Sequence, residues 1–242
     1  MKKIKNINST RFIIMSVVAL FVFLFLSLVL LPLIFFQAKP KIDDRTFYFN
    51  QNFDEQDPLM TAVPNLDKII SGPIITQADP QIGPVNAKVN IVLFTDFKSD
   101  YSYNSVKNIQ TIQQSMPDKI KFIHKDFPIN NINSESFQAS LAGRCAQVQN
   151  KFWEYSDLLY QNNDDLERDN LIKLAKDLKL NLKEFKQCLD DYEEINAIND
   201  NLQEAYALKI TGIPFVFIND QEILGSTGYQ EIANLVKQEL KK

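Results

Sequence analysis

Few side chains in this chain of 242 residues are equipped for covalent chemistry. There is one histidine, His124, and two serines three positions apart, Ser99 and Ser102, follow an apolar run and open a helical pattern. A nucleophilic serine needs a general base oriented beside it. His124 falls within a predicted strand, where we expect a packed or edge side chain. The sequence therefore argues against a serine hydrolase.

The only other candidates for reactive chemistry are two cysteines, Cys145 and Cys188. An even number of cysteines in an oxidising compartment favours a disulfide, and two buried free thiols are the alternative. One histidine and two distant cysteines do not make a zinc ligand set. We therefore expect no metal and no cofactor.

The residues around Ser99 also suit an ordinary helix start. Serine is a favoured N-cap, and a carboxylate such as Asp100 is favourable in the first turn of a helix. We expect Asp96 to be a surface or capping acid that does not form an acid–base pair with Asp100. This interpretation makes the segment from Ser99 to Ser102 structural.

These residues lie in a pattern of strands and helices that predicts an α/β fold. A buried strand at 89–94 precedes a helix from about 100 to 116, which Pro117 ends, and a second strand at 119–127. Five helical patterns follow between 134 and 209, one of them opened by a capping box of Asn181 and Glu184. A strand at 215–218, a hairpin partner at 222–224 and a helix capped by Thr227 with Gln230 complete the chain.

The order of these elements predicts a four-stranded mixed sheet with helices on both faces. The helical block, about 133–209, is predicted to form a separate lobe inserted into the sheet domain at 76–242. Within that lobe we expect Trp153 to be a core anchor.

The first 36 residues predict a membrane anchor. Residues 12–36 contain no charged side chain, and about 20 apolar residues suffice for a helix to cross a bilayer. A cleaved signal peptide has a shorter apolar region of roughly 7–15 residues. We therefore expect an uncleaved transmembrane helix at 12–36, followed by a linker at 37–75.

Flanking charges predict the orientation. The basic residues before the span, Lys2, Lys3, Lys5 and Arg11, place residues 1–11 in the cytoplasm. The domain would then be extracytoplasmic or periplasmic, on a single-pass protein of the cytoplasmic (inner) membrane. After residue 11, 22 Lys and Arg stand against 30 Asp and Glu, which argues against a nucleic-acid partner.

Three separated segments resemble the DsbA-like branch of the thioredoxin superfamily. They are Asp-Pro-Gln-Ile-Gly-Pro at 79–84 with the following strand and Asp-Phe at 96–97, Lys-Phe-Trp-Glu-Tyr-Ser-Asp-Leu-Leu at 151–159, and Thr-Gly-Ile-Pro at 211–214 with its strand. The resemblance implies a thioredoxin-like sheet with a helical insertion. It also implies a cis-proline at Pro214 and a structural disulfide between Cys145 and Cys188.

The resemblance fails at the catalytic pair. The family pattern is Cys-Pro-Tyr-Cys, and this chain has Ser99, Asp100, Tyr101 and Ser102. Thiol exchange needs a thiolate at the helix N-terminus and a second cysteine to resolve the mixed disulfide, so no catalytic residue is expected here. What the resemblance leaves is a peptide-binding surface at Tyr101, Ile213 and Pro214.

Three functions follow from these expectations. The first is a membrane-anchored, redox-inactive DsbA-like protein that binds an extended polypeptide or an envelope partner. The second is a structural subunit of a membrane complex. The third is a thiol-disulfide oxidoreductase that uses Cys145 and Cys188.

Overall fold

The computed structural model describes residues 72–242 of the protein. The predicted anchor at 12–36 and all but the last four residues of the predicted linker at 37–75 lie outside the described residues. Among residues 72–242, no helix combines the length and the apolar character that crossing a bilayer requires.

Five strands of this region form one mixed sheet: β1 Gln81–Ile82, β2 Val89–Thr95, β3 Ile120–Asp126, β4 Phe215–Ile218 and β5 Gln221–Leu224. Their order across the sheet is β1-β3-β2-β4-β5. The central pair β2 and β3 is parallel, and the other three pairs are antiparallel. Nearly every residue of β2 and β3 is buried, because helices cover both faces of the sheet.

The prediction of a four-stranded sheet was wrong, since β1 adds a fifth strand to the outer side of β3. A strand of two residues between Pro80 and Gly83 is too short to show a period-two pattern. Gly83 permits the close pairing, because it has a φ of 122° and a Cβ there would lie 2.3 Å from the Ile120 carbonyl oxygen.

The helices of the described region are α1 Asp100–Ser115, α2 Glu135–Val148, α3 Phe152–Gln161, α4 Arg168–Asp177, α5 Leu182–Asp191, α6 Ile195–Ala207 and α7 Tyr229–Glu239. The five from α2 to α6 are the predicted lobe. Asn181 is the N-cap of α5, as predicted, and its side chain accepts hydrogen bonds from the N–H groups of Lys183 and Glu184. The reciprocal bond of a capping box is not made, because the Asn181 N–H donates to Gln149 Oε1 instead of to Glu184. The predicted cap at Thr227 was wrong: α7 begins after Gly228, and the Thr227 hydroxyl donates to the Gly225 carbonyl instead.

The predicted disulfide between Cys145 and Cys188 is confirmed. It joins α2 to α5, with 5.8 Å between the two Cα atoms. Both cysteines are buried. The bond therefore connects two helices of the lobe through cysteines that are 43 positions apart in the sequence.

A buried ion-pair network attaches the lobe and the segment before β1 to the sheet. Lys125, at the end of β3, donates from Nζ to the carboxylates of Asp79 and Glu204, each over 2.9 Å, and to the Ile74 carbonyl over 2.7 Å. Glu204 on α6 in turn accepts from the Ile74 N–H over 2.6 Å. Residues 74–79 are thus held against β3 and α6 by charged groups that water hardly reaches.

Arg144 makes the second half of this network. Its side chain is fully buried, and it donates from Nε to Asp126 Oδ2 over 2.5 Å and from a terminal nitrogen to Asn201 Oδ1 over 2.8 Å. The other terminal nitrogen donates to the Ala78 carbonyl over 2.6 Å. One guanidinium therefore links α2 to β3, to α6 and to the segment before β1.

Candidate functional site

The candidate site forms where β2 ends and α1 begins, and Asp96 holds the turn between them. Its Oδ1 accepts from the Lys98 N–H over 2.9 Å, and its Oδ2 accepts from the Ser136 hydroxyl over 2.6 Å. Asp96 is only 6% exposed, and burial raises its pKa, although the hydrogen bonds from Ser136 and Lys98 oppose that rise. Asp96 was predicted to be a surface or capping acid. The surface alternative was wrong, because the turn folds the carboxylate inward onto α2, where it accepts from Ser136.

Ser99 occupies the N-cap of α1, as predicted. Its Oγ accepts from the Ser102 N–H over 3.3 Å, so the hydroxyl satisfies a backbone donor at the start of the helix. Asp100 follows in the first turn, and its Oδ1 accepts a hydrogen bond from the Asn163 side-chain amide. The two residues together form the helix start that their types predicted.

Ser102 and Tyr101 have opposite surroundings. Ser102 is fully buried, and its Oγ has no hydrogen-bond partner among the described residues. Tyr101 is 69% exposed and projects from the first turn of α1. In the segment from Ser99 to Ser102, the Tyr101 ring is therefore exposed to solvent and the Ser102 side chain is not.

The Ile213–Pro214 peptide bond is cis. Phe215 pairs with Phe94 across β4 and β2, which brings Pro214 to the end of the sheet where the turn at 96–99 lies. Pro214 is buried, and its carbonyl accepts from the Gly225 N–H over 2.8 Å. Ile213 is half-buried, and no hydrogen bond joins its backbone to another residue of the described region. Of the three predicted peptide-binding residues, Tyr101 and Ile213 thus retain accessible groups.

Residues of the lobe surround the charged side of this turn, and the sequence analysis missed them. The Lys98 ammonium donates to Glu135 over 2.5 Å and to the Asp164 carbonyl over 3.2 Å. Glu135 also accepts from the Leu166 N–H over 3.3 Å. Glu135 and Asp164 lie 37 and 66 positions after Lys98, so no local sequence pattern indicates that they contact it.

His124 is packed, as predicted. Its ring is 1% exposed and stacks on Phe97 with 5.3 Å between centroids, and its Nε2 lies 3.1 Å from Asp126 Oδ1. Neither Ser99 nor Ser102 shares a hydrogen bond with it. Among residues 72–242, no group of His, Cys, Asp and Glu side chains is arranged to hold a metal ion.

A protein-family model described as thioredoxin matches residues 76–238. The chain belongs to the thioredoxin family. Solved structures share the fold of this region. The catalytic domain of ScsC from Proteus mirabilis is 25% identical, with a TM-score of 0.61 over 69% of this chain and 92% of that chain.

Two further structures share the fold at lower identity. BdbD from Bacillus subtilis, in its oxidised form, is 23% identical with a TM-score of 0.62, covering 72% of this chain and 98% of that chain. A thioredoxin-like oxidoreductase from Silicibacter pomeroyi is 17% identical with a TM-score of 0.63, covering 74% and 97%. At these identities the likeness shows the fold alone.

Curated relatives include proteins named Na⁺/H⁺ antiporter NhaA. One from Mycolicibacterium vanbaalenii is 23% identical over 61% of this chain and 24% of its own length. One from Salinispora tropica is 24% identical over 68% of this chain and 25% of its own length. The chain therefore spans about a quarter of the length of the curated relatives it matches.

Proposed function

We propose that this thioredoxin-family protein binds an extended polypeptide at the surface formed by Tyr101, Ile213 and Pro214, and that it performs no thiol-disulfide exchange. In this proposal residues 12–36 anchor it in the cytoplasmic membrane with the domain outside. The observation that carries the proposal is the use of Ser99 as the α1 N-cap. A hydroxyl in that place supplies no thiolate and forms no disulfide.

The binding part of the proposal depends on groups that do not require cysteine at positions 99 and 102. The Tyr101 ring is exposed, and the Ile213 backbone has its N–H and C=O unpaired within the described residues. An extended chain laid beside Ile213 would pair with those two groups as a strand pairs with a sheet edge. Affinity would come from main-chain hydrogen bonds, with Tyr101 contributing apolar contact.

The redox part of this proposal is tested by insulin reduction with the full chain. We expect turnover at background, since Cys145 and Cys188 are buried at 1% and 4% exposure, and thiol exchange needs an accessible sulfur. A clear rate above background would overturn redox inactivity. A rate that then disappears in the Cys145→Ala/Cys188→Ala variant would assign the activity to these cysteines.

The binding part is tested with reduced, carboxymethylated lactalbumin as an unfolded client. The Ile213→Pro variant removes the backbone N–H of residue 213. We expect this variant to bind the client at least about tenfold more weakly, because it loses one main-chain hydrogen bond to the bound segment. The matched control is Ile210→Val, a conservative change of a buried residue in the same connection. Equal binding by both variants and the unaltered chain would exclude the Ile213 surface.

A second candidate, a structural subunit of a membrane complex, is favoured by one specific observation. The curated relatives that share this domain are named as antiporters, and the domain accounts for about a quarter of their length. A domain that recurs next to a transporter is suited to contact a membrane partner. Crosslinking in native membranes separates the candidates: one stoichiometric partner supports the subunit, and many unrelated proteins support a client binder.

A further inference from the structure

The Asp96 carboxylate attaches the turn at 96–99 to the lobe at a buried contact. Its Oδ1 accepts from the Lys98 N–H over 2.9 Å within the turn, and its Oδ2 accepts from the Ser136 hydroxyl of α2 over 2.6 Å. The Ser136 Oγ in turn accepts from the Ile129 N–H over 2.9 Å. One buried carboxylate thus connects the turn, the start of α2 and the segment that follows β3.

This contact accommodates either protonation state of Asp96. When the carboxylate is charged, the Ser136 hydroxyl donates to Oδ2. When it is neutral, the carboxyl O–H donates to the Ser136 Oγ instead, because that oxygen has two acceptor lone pairs and the Ile129 N–H uses one. The Lys98 N–H donates to Oδ1 in both states. Protonation therefore keeps these hydrogen bonds and removes a buried charge.

The charges that face Asp96 do not offset the cost of burying its carboxylate. On β3, Asp126 repels it and stays ionised, because the pKa of Asp126 is about 2. Within the turn, Lys98 attracts it, but the Lys98 ammonium also pairs with Glu135 of α2 over 2.5 Å. The Tyr160 phenol of α3 is neutral, because burial raises its pKa. Burial has the largest effect on Asp96, and its pKa is raised.

The Phe97 ring holds the turn against the core in both states of Asp96. It is buried, and its centroid lies 5.3 Å from that of His124, 6.4 Å from that of Phe152 and 4.9 Å from that of Tyr160. Phe152 anchors α3 in this cluster, whereas Trp153, the expected core anchor, is only half-buried beside it. An opening of the turn is therefore confined to the Asp96 side chain and the backbone that follows Phe97.

We propose that Asp96 is a proton-operated clamp: proton uptake fastens the turn at 96–99 to α2, and proton loss allows the turn to open. In the open turn water reaches the carboxylate and stabilises its charge. A carboxyl group whose pKa is higher in the closed state stabilises that state at low pH, and the contribution is lost as the pH rises through that pKa. The clamp acts on the turn that leads into α1, and it stands whether or not Tyr101 and Ile213 bind a polypeptide.

Hydrogen exchange of the Lys98 N–H in the full chain measures this opening. The protection factor, which is the intrinsic exchange rate divided by the observed rate, removes the pH dependence of the exchange chemistry itself. We expect protection to fall as the pH rises from about 4, the ordinary pKa of a carboxyl group, and to level off above the pKa of Asp96. The fall should be about tenfold for each pH unit between those two values. Carboxyl-carbon NMR of Asp96 measures its pKa independently.

Three variants complete the test. Asp96→Asn should show constant protection over this range, because the titrating group is gone. Ser136→Ala should move the point at which protection levels off to higher pH, since the Ser136 hydrogen bond lowers the pKa of Asp96. Asp100→Asn, which neutralises an exposed carboxylate of the same segment, should retain the fall.

Constant protection in the unaltered protein, protection that increases with pH, or a fall that persists in Asp96→Asn would overturn the proposal. A pKa of Asp96 at or below the ordinary value, measured by NMR, would overturn it without any variant.

Discussion

Arg144 donates from Nε to Asp126 Oδ2 over 2.5 Å, and neither side chain is exposed. Burial alone would raise the pKa of Asp126, but the Arg144 guanidinium and the hydrogen bond from His124 outweigh it and lower the pKa to about 2. A carboxylate whose pKa falls on folding stabilises the folded state above its unfolded pKa. That stabilisation is lost as the pH falls from about 4 to about 2.

The first prediction concerns acid unfolding. Between pH 7 and pH 2, the free energy of unfolding should fall by about 2 kcal/mol more in the unaltered protein than in Asp126→Asn, since only the former loses this carboxylate. Urea unfolding at a series of pH values measures it. The exposed Asp118→Asn serves as control and should retain the steeper dependence. If the free energy of unfolding falls equally with pH in the unaltered protein and in Asp126→Asn, the Arg144–Asp126 ion pair does not contribute to the pH dependence of stability.

Two other buried carboxyl groups, Asp96 and Glu204, have raised pKa values and therefore change the stability with pH in the opposite direction to Asp126. The comparison with Asp126→Asn isolates the contribution of Asp126 from theirs. Burial raises the pKa of Asp96, and burial also raises that of Glu204, although hydrogen bonds oppose both shifts. A group with a raised folded pKa favours the folded state at low pH, and that contribution is lost as the pH rises through its folded pKa. The total pH dependence is therefore shallower than Asp126 alone would give.

The second prediction concerns Lys125. Lys125→Met leaves the buried carboxylates of Asp79 and Glu204 without their cation, so we expect a loss of about 3–5 kcal/mol in the free energy of unfolding. Lys119→Met, a change of an exposed lysine just before β3, should alter it by less than about 0.5 kcal/mol. Chemical denaturation measures both. A loss below 1 kcal/mol for Lys125→Met would show that the carboxylates find other partners.

The third prediction concerns the disulfide. Thiol titration of the unfolded, unreduced protein should find no free thiol, and prior reduction should reveal both cysteines. Because the bond closes a loop of 43 residues, its reduction should lower the free energy of unfolding by about 4 kcal/mol in the chain-entropy treatment. Two free thiols before reduction would exclude the bond.

The fourth prediction contrasts the two serines of the motif. Ser102→Ala should raise the free energy of unfolding by about 1 kcal/mol, because it removes a buried hydroxyl that has no partner. Ser99→Ala should lower it by about 1 kcal/mol, because the α1 N-cap is lost. Opposite signs are the expected outcome. A destabilising Ser102→Ala would mean that the hydroxyl is bonded in solution.

The helix start at Ser99 was predictable, because capping depends on residues that are adjacent in sequence. The buried network was not, since Lys125 bonds with residues 46 and 79 positions away and local pattern carries no trace of such contacts. One signal was present: Lys125 and Asp126 fall within a predicted strand that also carries Phe122 and Ile123, and buried charges need partners. β1 was not predicted, because two residues are too few to show a strand pattern. The strand forms through its pairing with β3 and the close approach that Gly83 permits.

Ile74 also determines how the domain would respond to mechanical load. Tension applied at Ile74 itself would act on the hydrogen bonds that Ile74 makes with Lys125 and Glu204. Charged contacts of this kind, held away from water, would carry the force before any strand of the sheet did. The pulling direction would then decide which part of the molecule yields first, with the ion pairs near Ile74 opposing force from one terminus and α7 opposing it from the other.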